Sequence, residues 1–160
     1  MTTIHKGRHS AELDGDFVVF IIGMRFNKLR KLRSWLPVFS AMPKMLRVLA
    51  EHPEKGMLSS RFARSGRTVT LVQYWRSFED LERFARDSDD PHLKAWRRFN
   101  QQVGANGDVG IYHETYKVAA GQHESIYSNM PLMGLAEAGQ LVPVAQRGER
   151  ARERLTADAA

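Results

Sequence analysis

The segment from Asp16 to Met24, DFVVFIIGM, is an unbroken run of β-branched, aliphatic and aromatic residues bounded by Gly15 and Arg25. A strand sends successive side chains to opposite faces, so a run without alternation reads as a strand covered on both sides. A chain built around it is neither a helical bundle nor a single sheet with one wet face. With 160 residues there is chain for about one domain and one modest core.

The segments C-terminal to that strand set the topology. Between Asn27 and His52, Leu29, Leu32, Leu36, Phe39, Met42, Leu46 and Leu49 recur at helical spacing. Pro37, three residues after Ser34, predicts a helix restarting near that Ser cap. Pro43 predicts a further kink or division, and Pro53 ends the segment. Gly56 to Arg64 and Arg67 to Arg76 are strand-like runs joined at Ser65-Gly66, an antiparallel hairpin. Ser77 with Asp80 three residues on predicts a capping-box helix running through Asp87. Asp90-Pro91 restarts it with His92, Trp96, Phe99 and Val103 on one stripe. Gly104 to Gly107 stops that piece, and Val109 to Val118 is the last strand.

The order is the βαββαβ pattern of an α+β, ferredoxin-like antiparallel sheet with helices on one face. The other face would be a large exposed apolar patch. The economical cover is a second copy packed sheet to sheet, a homodimer forming a dimeric α+β barrel. A cavity then lies between sheet and helices or within the barrel.

Outside this unit, residues 1–13 carry no periodic pattern and read as a flexible N-terminal arm, leaving 14–118 as the dimeric α/β-barrel domain. Residues 119–143 mix turn formers with apolar groups and read as a lid over the cavity or a strap onto the dimer partner. Residues 144–160 read as an exposed basic C-terminal tail.

A net charge of +6 raises the question of nucleic acid. The cations gather at Lys28, Arg30, Lys31 and Arg33, and in a tail where Arg147, Arg150, Arg152 and Arg154 are interleaved with acids, so no nucleic-acid partner is expected. No apolar run reaches membrane-spanning length and the first residues hold no apolar signal core, which gives no membrane partner and a cytoplasmic address. The absence of cysteine excludes disulfides, thiolate metal sites and a Cys nucleophile. No Gly-rich loop opens a helix and no Gly-x-Ser-x-Gly elbow is present, so nucleotide and Ser-hydrolase chemistry lack support.

His113 is the first candidate for chemistry. Alternation places it with Val109, Ile111 and Thr115, an apolar setting that favours the neutral imidazole and suits either haem-iron ligation or proton abstraction. A packed core histidine is the alternative. Glu114 shares the opposite face with Tyr112 and Tyr116 and is either a general acid or base in a dry cavity or half of a surface ion pair, with Arg97 or Arg98 its natural partner if it faces the helices. His92 and Trp96, four apart, meet beside Phe99. Tyr127, Asn129 and Met130 sit in the expected lid. No His-x-His or His-x-x-x-His spacing supports a two-His metal site with Glu114.

The segments His92-Leu93-Lys94-Ala95-Trp96-Arg97-Arg98-Phe99-Asn100, Val109-Gly110-Ile111-Tyr112-His113-Glu114-Thr115-Tyr116 and Ile126-Tyr127-Ser128-Asn129-Met130-Pro131 resemble those of the monooxygenase-like family of the dimeric α/β-barrel superfamily. The similarity covers roughly residues 14–143. That superfamily includes cofactor-independent monooxygenases, haem-degrading monooxygenases, dye-decolourising peroxidases, chlorite dismutases and haem-containing aldoxime dehydratases. In haem-degrading members the axial His lies late in the second helix, where the comparable position here is Trp96.

The resemblance implies a monooxygenase-like oxidoreductase, or a haem-dependent lyase like the aldoxime dehydratases, acting on a small apolar or aromatic molecule with haem or with no cofactor. On this reading His113, Glu114 and Tyr127 are catalytic, with His113 as base or as axial ligand to haem iron. Trp96 and Met130 join His113 around a cofactor, and Tyr116, Phe99, Asn129 and His92 contact substrate. The competing reading is a non-catalytic dimeric module that binds a small ligand or is purely structural.

Overall fold

The doubly apolar run forms β2 (Phe17–Phe26), one of the two inner strands of a four-stranded antiparallel sheet. In this computed structural model residues 2–86 and 106–156 are described. Its neighbours are β3 (Met57–Ser65), β4 (Thr68–Trp75) and β5 (Val109–Val118), in the order β3-β4-β2-β5. Counting only these four strands, the first and third to form lie in the middle, the ferredoxin-like arrangement expected from βαββαβ. The β3–β4 hairpin turns at Gly66 as expected. The second helical piece, carrying His92, Trp96 and Phe99, lies outside the described residues.

Among the described residues, two helices cover one face. α1 (Leu32–Glu51) is continuous although Pro37 and Pro43 lie inside it, so the expected division does not occur. It is held through its first two turns, where Val38 and Phe39 also pack on the core, and at its far end. Near the N-terminus Asp108 takes Lys28 Nζ at 2.8 Å and the Ser34 hydroxyl at 3.0 Å, and the Lys28 contact first, then Ser34, hold the carboxyl below its ordinary pKa despite its desolvation. Trp35 stacks edge-on to Phe26 at 4.9 Å. At the far end Leu49 is buried with Val18, Trp75 and Leu81, and it is the one buried residue of the helix.

α2 (Phe78–Arg86) opens with Ser77 Oγ accepting the Asp80 N–H at 3.1 Å. The reciprocal half of the capping box is missing, because the Asp80 carboxylate instead accepts from Arg76 Nε at 2.8 Å and Arg83 Nη1 at 2.9 Å. Burial pushes this carboxyl's pKa up, and the two guanidinium groups more than offset it, leaving it lowered. Asp80 also fills the space beside Gly56, whose φ of 92° suits glycine and where a Cβ would come within 2.4 Å of Asp80 Oδ2.

The terminal regions depart from expectation. Instead of a loose arm, Ile4–Glu12 is a strand, β1, at the centre of a second sheet between β6 (Tyr127–Pro131) and β7 (Gln140–Pro143). Its few apolar residues hid it, since only Ser10 and Ala11 are buried. With α3 (Leu135–Ala138), this sheet packs Ala11, Leu135 and Ala136 on Phe17, Val19, Tyr74 and Val118, one end of the main sheet's helix-free face. Residues 119–143 therefore form sheet and core here. The expected basic tail is also folded: it forms α4 (Val144–Arg147) and α5 (Ala151–Thr156), and Arg154, 5% exposed, meets Glu124 at 2.8 Å and donates to the Gly148 and Glu149 carbonyls.

Candidate active site

Strand register orders the helix-side face of β4, β2 and β5 into rows. Trp75, Val18 and Lys117 form the first row, Gln73, Phe20 and Thr115 the second, Leu71, Ile22 and His113 the third, and Val69, Met24 and Ile111 the fourth. Every polar side chain of these rows lies in the first three, and the fourth is wholly apolar. His113 therefore sits where polar and apolar halves meet, its ring 5.8 Å from that of Phe20.

Because α1 packs on the core through Trp35, Val38 and Phe39 and then again at Leu49, the space under the residues between stays open. One cavity of about 460 Å³ is walled by His113, Thr115, Gln73 and Phe20 from the sheet and by residues of α1 and α2, including Met45 and Glu82. A second, about 300 Å³, lies toward the fourth row and is walled by Val38, Phe39 and Leu46 of α1 over Met24, Val69 and Leu71. Ile22, Met42 and Ile111 belong to both walls, so the two are adjoining lobes of one cleft.

Polar groups in the larger lobe are few and placed. Gln73, 5% exposed, accepts the Trp75 indole N–H at 3.0 Å through its side-chain oxygen. That fixes the carboxamide orientation and leaves its amide N–H group as a donor. Glu82 pairs with Arg86 at 2.8 Å. Lys117 stands at the rim with its ammonium 6.0 Å from the ring centre of Phe78, a wall residue. Among the described residues no three His, Asp or Glu side chains converge on a point that could hold a metal ion.

The other expected site residues that fall among the described ones, Glu114, Tyr116, Tyr127, Asn129 and Met130, are not gathered around His113. Glu114 and Tyr116 lie on the opposite sheet face, as alternation requires, so His113 faces the helices and Glu114 does not. The Tyr116 hydroxyl donates to Glu114 Oε2 at 2.8 Å, and that bond, with the nearby negative charge, raises the phenol pKa. On the same face the Tyr112 ring lies across Gly23, where a Cβ would come within 2.1 Å of its Cε1, and its hydroxyl bonds Thr70 at 3.0 Å.

Tyr127 belongs to the second sheet's core, its hydroxyl accepting the Ala136 N–H at 3.3 Å. It faces Tyr74, whose pKa is raised by burial first and then by Tyr127. Asn129 adopts φ 55° and accepts the Gly7 N–H at 3.0 Å, a structural bond beside the register shift of β1. Met130 pairs with His5 at the surface. Gln73, Lys117, Met42 and Met45 were not singled out by sequence reasoning. Gln73 alone left a signal there, as the polar member of an otherwise apolar strand face.

Together these features define an α+β protein of ferredoxin-like fold with an imidazole at the head of an apolar cleft. Residues 17–135 match the family described as Monooxygenase af470-like, and the chain belongs to it. A curated relative, Monooxygenase af470 of Aspergillus fumigatus, is 33% identical over 152 residues, 81% of this chain and 53% of that protein. The chain thus spans about half the length of that relative.

Among solved structures, an aldoxime dehydratase in complex with butyraldoxime superposes with a TM-score of 0.68 at 18% identity, over 84% of this chain and 39% of that one. A second aldoxime dehydratase gives 0.67 at 20% identity, over 84% and 40%. At these identities the likeness is one of fold. The cofactor-independent oxygenase SnoaB from Streptomyces nogalater matches less extensively, with a TM-score of 0.44 at 14% identity over 63% of this chain and 91% of that one.

Proposed function

We propose that this chain is a monooxygenase-like enzyme that binds a small apolar or aromatic substrate in the cleft under α1, with His113 as the proton-accepting base. The observation that carries the reading is the position of His113, an imidazole on an otherwise largely apolar wall. An electron-rich phenol needs no outside reductant. Once the imidazole has taken its hydroxyl proton, the phenolate is the electron donor, and phenol plus dioxygen give quinone plus water. Gln73 and Thr115, one row away, hold the oxygen end in place, and His113 and Thr115 are themselves exposed, so substrate and dioxygen reach them directly.

A second reading rests on the fold shared with aldoxime dehydratases over most of the chain. Were haem bound, His113 on its largely apolar wall would hold the iron and Lys117 at the rim would offer a cationic partner for a propionate. When bound, haem would supply Lewis-acid and redox chemistry at its iron. The part of the helix-free face left open by the second sheet, around Tyr112, Glu114 and Tyr116, is the surface on which we place a second copy of the chain.

Oxygen uptake with a panel of phenols, and absorbance on titration with haem, separate these readings. His113→Ala should cut turnover by about two orders of magnitude or more, or abolish the haem band, with unfolding little changed. Full activity in that variant would overturn the assignment of His113.

A further inference from the structure

The two lobes differ in chemistry in a way that bears on substrate shape. The polar side chains Gln73, Thr115, His113 and Glu82 all border the larger lobe. Among the described residues, the smaller lobe is lined by hydrocarbon and thioether except for the backbone at Gly23 and Thr70, the Thr70 hydroxyl being turned to the other sheet face, where it bonds Tyr112. A ligand confined to one lobe would leave the other as apolar surface in water, whereas a ligand with one polar end and an extended apolar tail matches both.

Among the described residues, three are shared by the walls of the two lobes, and one of them is Met42, an unbranched, adaptable side chain that can swing aside at little cost. At the far end the cleft reaches the surface beside Phe39 and Phe62, 38% and 55% exposed.

We infer that the substrate class is an elongated amphiphile: a hydrogen-bonding head seated among Gln73, Thr115 and His113, with an apolar tail that passes Met42 and lies beneath α1. This rests on the proposed role of the His113 cleft and narrows it. The head orients the molecule, and the tail supplies most of the affinity. Specificity between homologous substrates is then set by tail length, through Met42 and Leu46, rather than by the groups at the reacting end.

The test is calorimetric titration of the full chain with 4-alkylphenols from methyl to octyl. Each added methylene should tighten binding by about fourfold while it enters the cleft, as burial of one methylene predicts. Leu46→Trp, which fills the smaller lobe, and Met42→Phe, which stiffens the junction, should each flatten the dependence on length. Leu46→Phe repeats the test with a smaller addition if Leu46→Trp fails to fold.

If short phenols bind but affinity does not grow beyond the shortest members, the elongated ligand is wrong and the His113 cleft survives as a small-substrate site. A length dependence that persists in folded Leu46 and Met42 variants sends the tail elsewhere and likewise overturns the inference. Should no member bind at all, the proposed function falls with it.

Discussion

Replacing Asp80 by Asn tests whether the wall of the cleft is held by charge. The side chain is 5% exposed and its two oxygens are used separately, Oδ2 by Arg76 at 2.8 Å and Oδ1 by Arg83 at 2.9 Å. Asn has nearly the same volume but keeps only one acceptor and turns an N–H group toward a guanidinium. One charge-assisted bond is lost and a donor faces a donor. Such a bond contributes about 1.5–3 kcal/mol. Because both arginines are more than half exposed and rehydrate, the lower part of that range applies, about 2 kcal/mol.

For a chain of this size that is a fall of roughly 4–8 °C in Tm. The folded carboxyl has a lowered pKa, so its contribution is complete above the unfolded value of about 3.9 and is lost as pH falls through the lower folded value. Urea titrations of both proteins from pH 7 to pH 3 should show a gap that closes from about pH 4 downward. A gap that stays constant with pH, or one under about 0.5 kcal/mol at pH 7 where a charged bond predicts more, refutes the reasoning.

Gly23→Ala should cost about 1–2 kcal/mol by expelling the Tyr112 ring and breaking its bond to Thr70, and little in a Tyr112→Ala background; equal costs in both backgrounds in a double-mutant cycle would show that the ring is not the cause. Arg154→Ala leaves Glu124 and two backbone carbonyls without their donor and should destabilise by about 2–4 kcal/mol in urea, whereas a neutral result would mean that the folded C-terminal segment contributes nothing to the second sheet.

How much was legible in the sequence depends on where the energy lies. β2 and β4 announce themselves by apolar pattern because that pattern is their packing, and period-two alternation in β5 put His113 and Glu114 on opposite faces. β1 is held by backbone pairing to β6 and β7 and by polar devices such as Ser10 Oγ to the Ser125 carbonyl at 2.9 Å. Those leave no hydrophobic period to read. The C-terminal segment is held by Arg147 and Arg154, residue types ordinarily read as surface, so its charge suggested a tail where it marks burial. Tyr127, Asn129 and Met130 were associated with the site because loops often carry function; here they are strand residues whose contacts lie in the second sheet.

The opening of the cleft depends on α1, and its sequence carries a physical contradiction that becomes a final prediction. Twenty residues of helix span about 30 Å, yet core packing falls to Trp35, Val38 and Phe39 in its first two turns and to Leu49 near its end. Between them Pro37 and Pro43 lack an N–H, so the carbonyls of Arg33 and Phe39 have no helical partner four residues on, and the Ser40 hydroxyl bonds back to the Pro37 carbonyl at 3.1 Å. The least supported part of the helix is therefore the part that roofs the smaller lobe beyond Phe39, including Met42 and Leu46. Hydrogen exchange should find the amides from 38 to 47 opening before those from 48 to 51, and a ligand occupying both lobes should slow the first group selectively. Uniform protection along α1, or slowing confined to its docked end, would show that the roof is rigid and that the cleft does not adjust around what it holds.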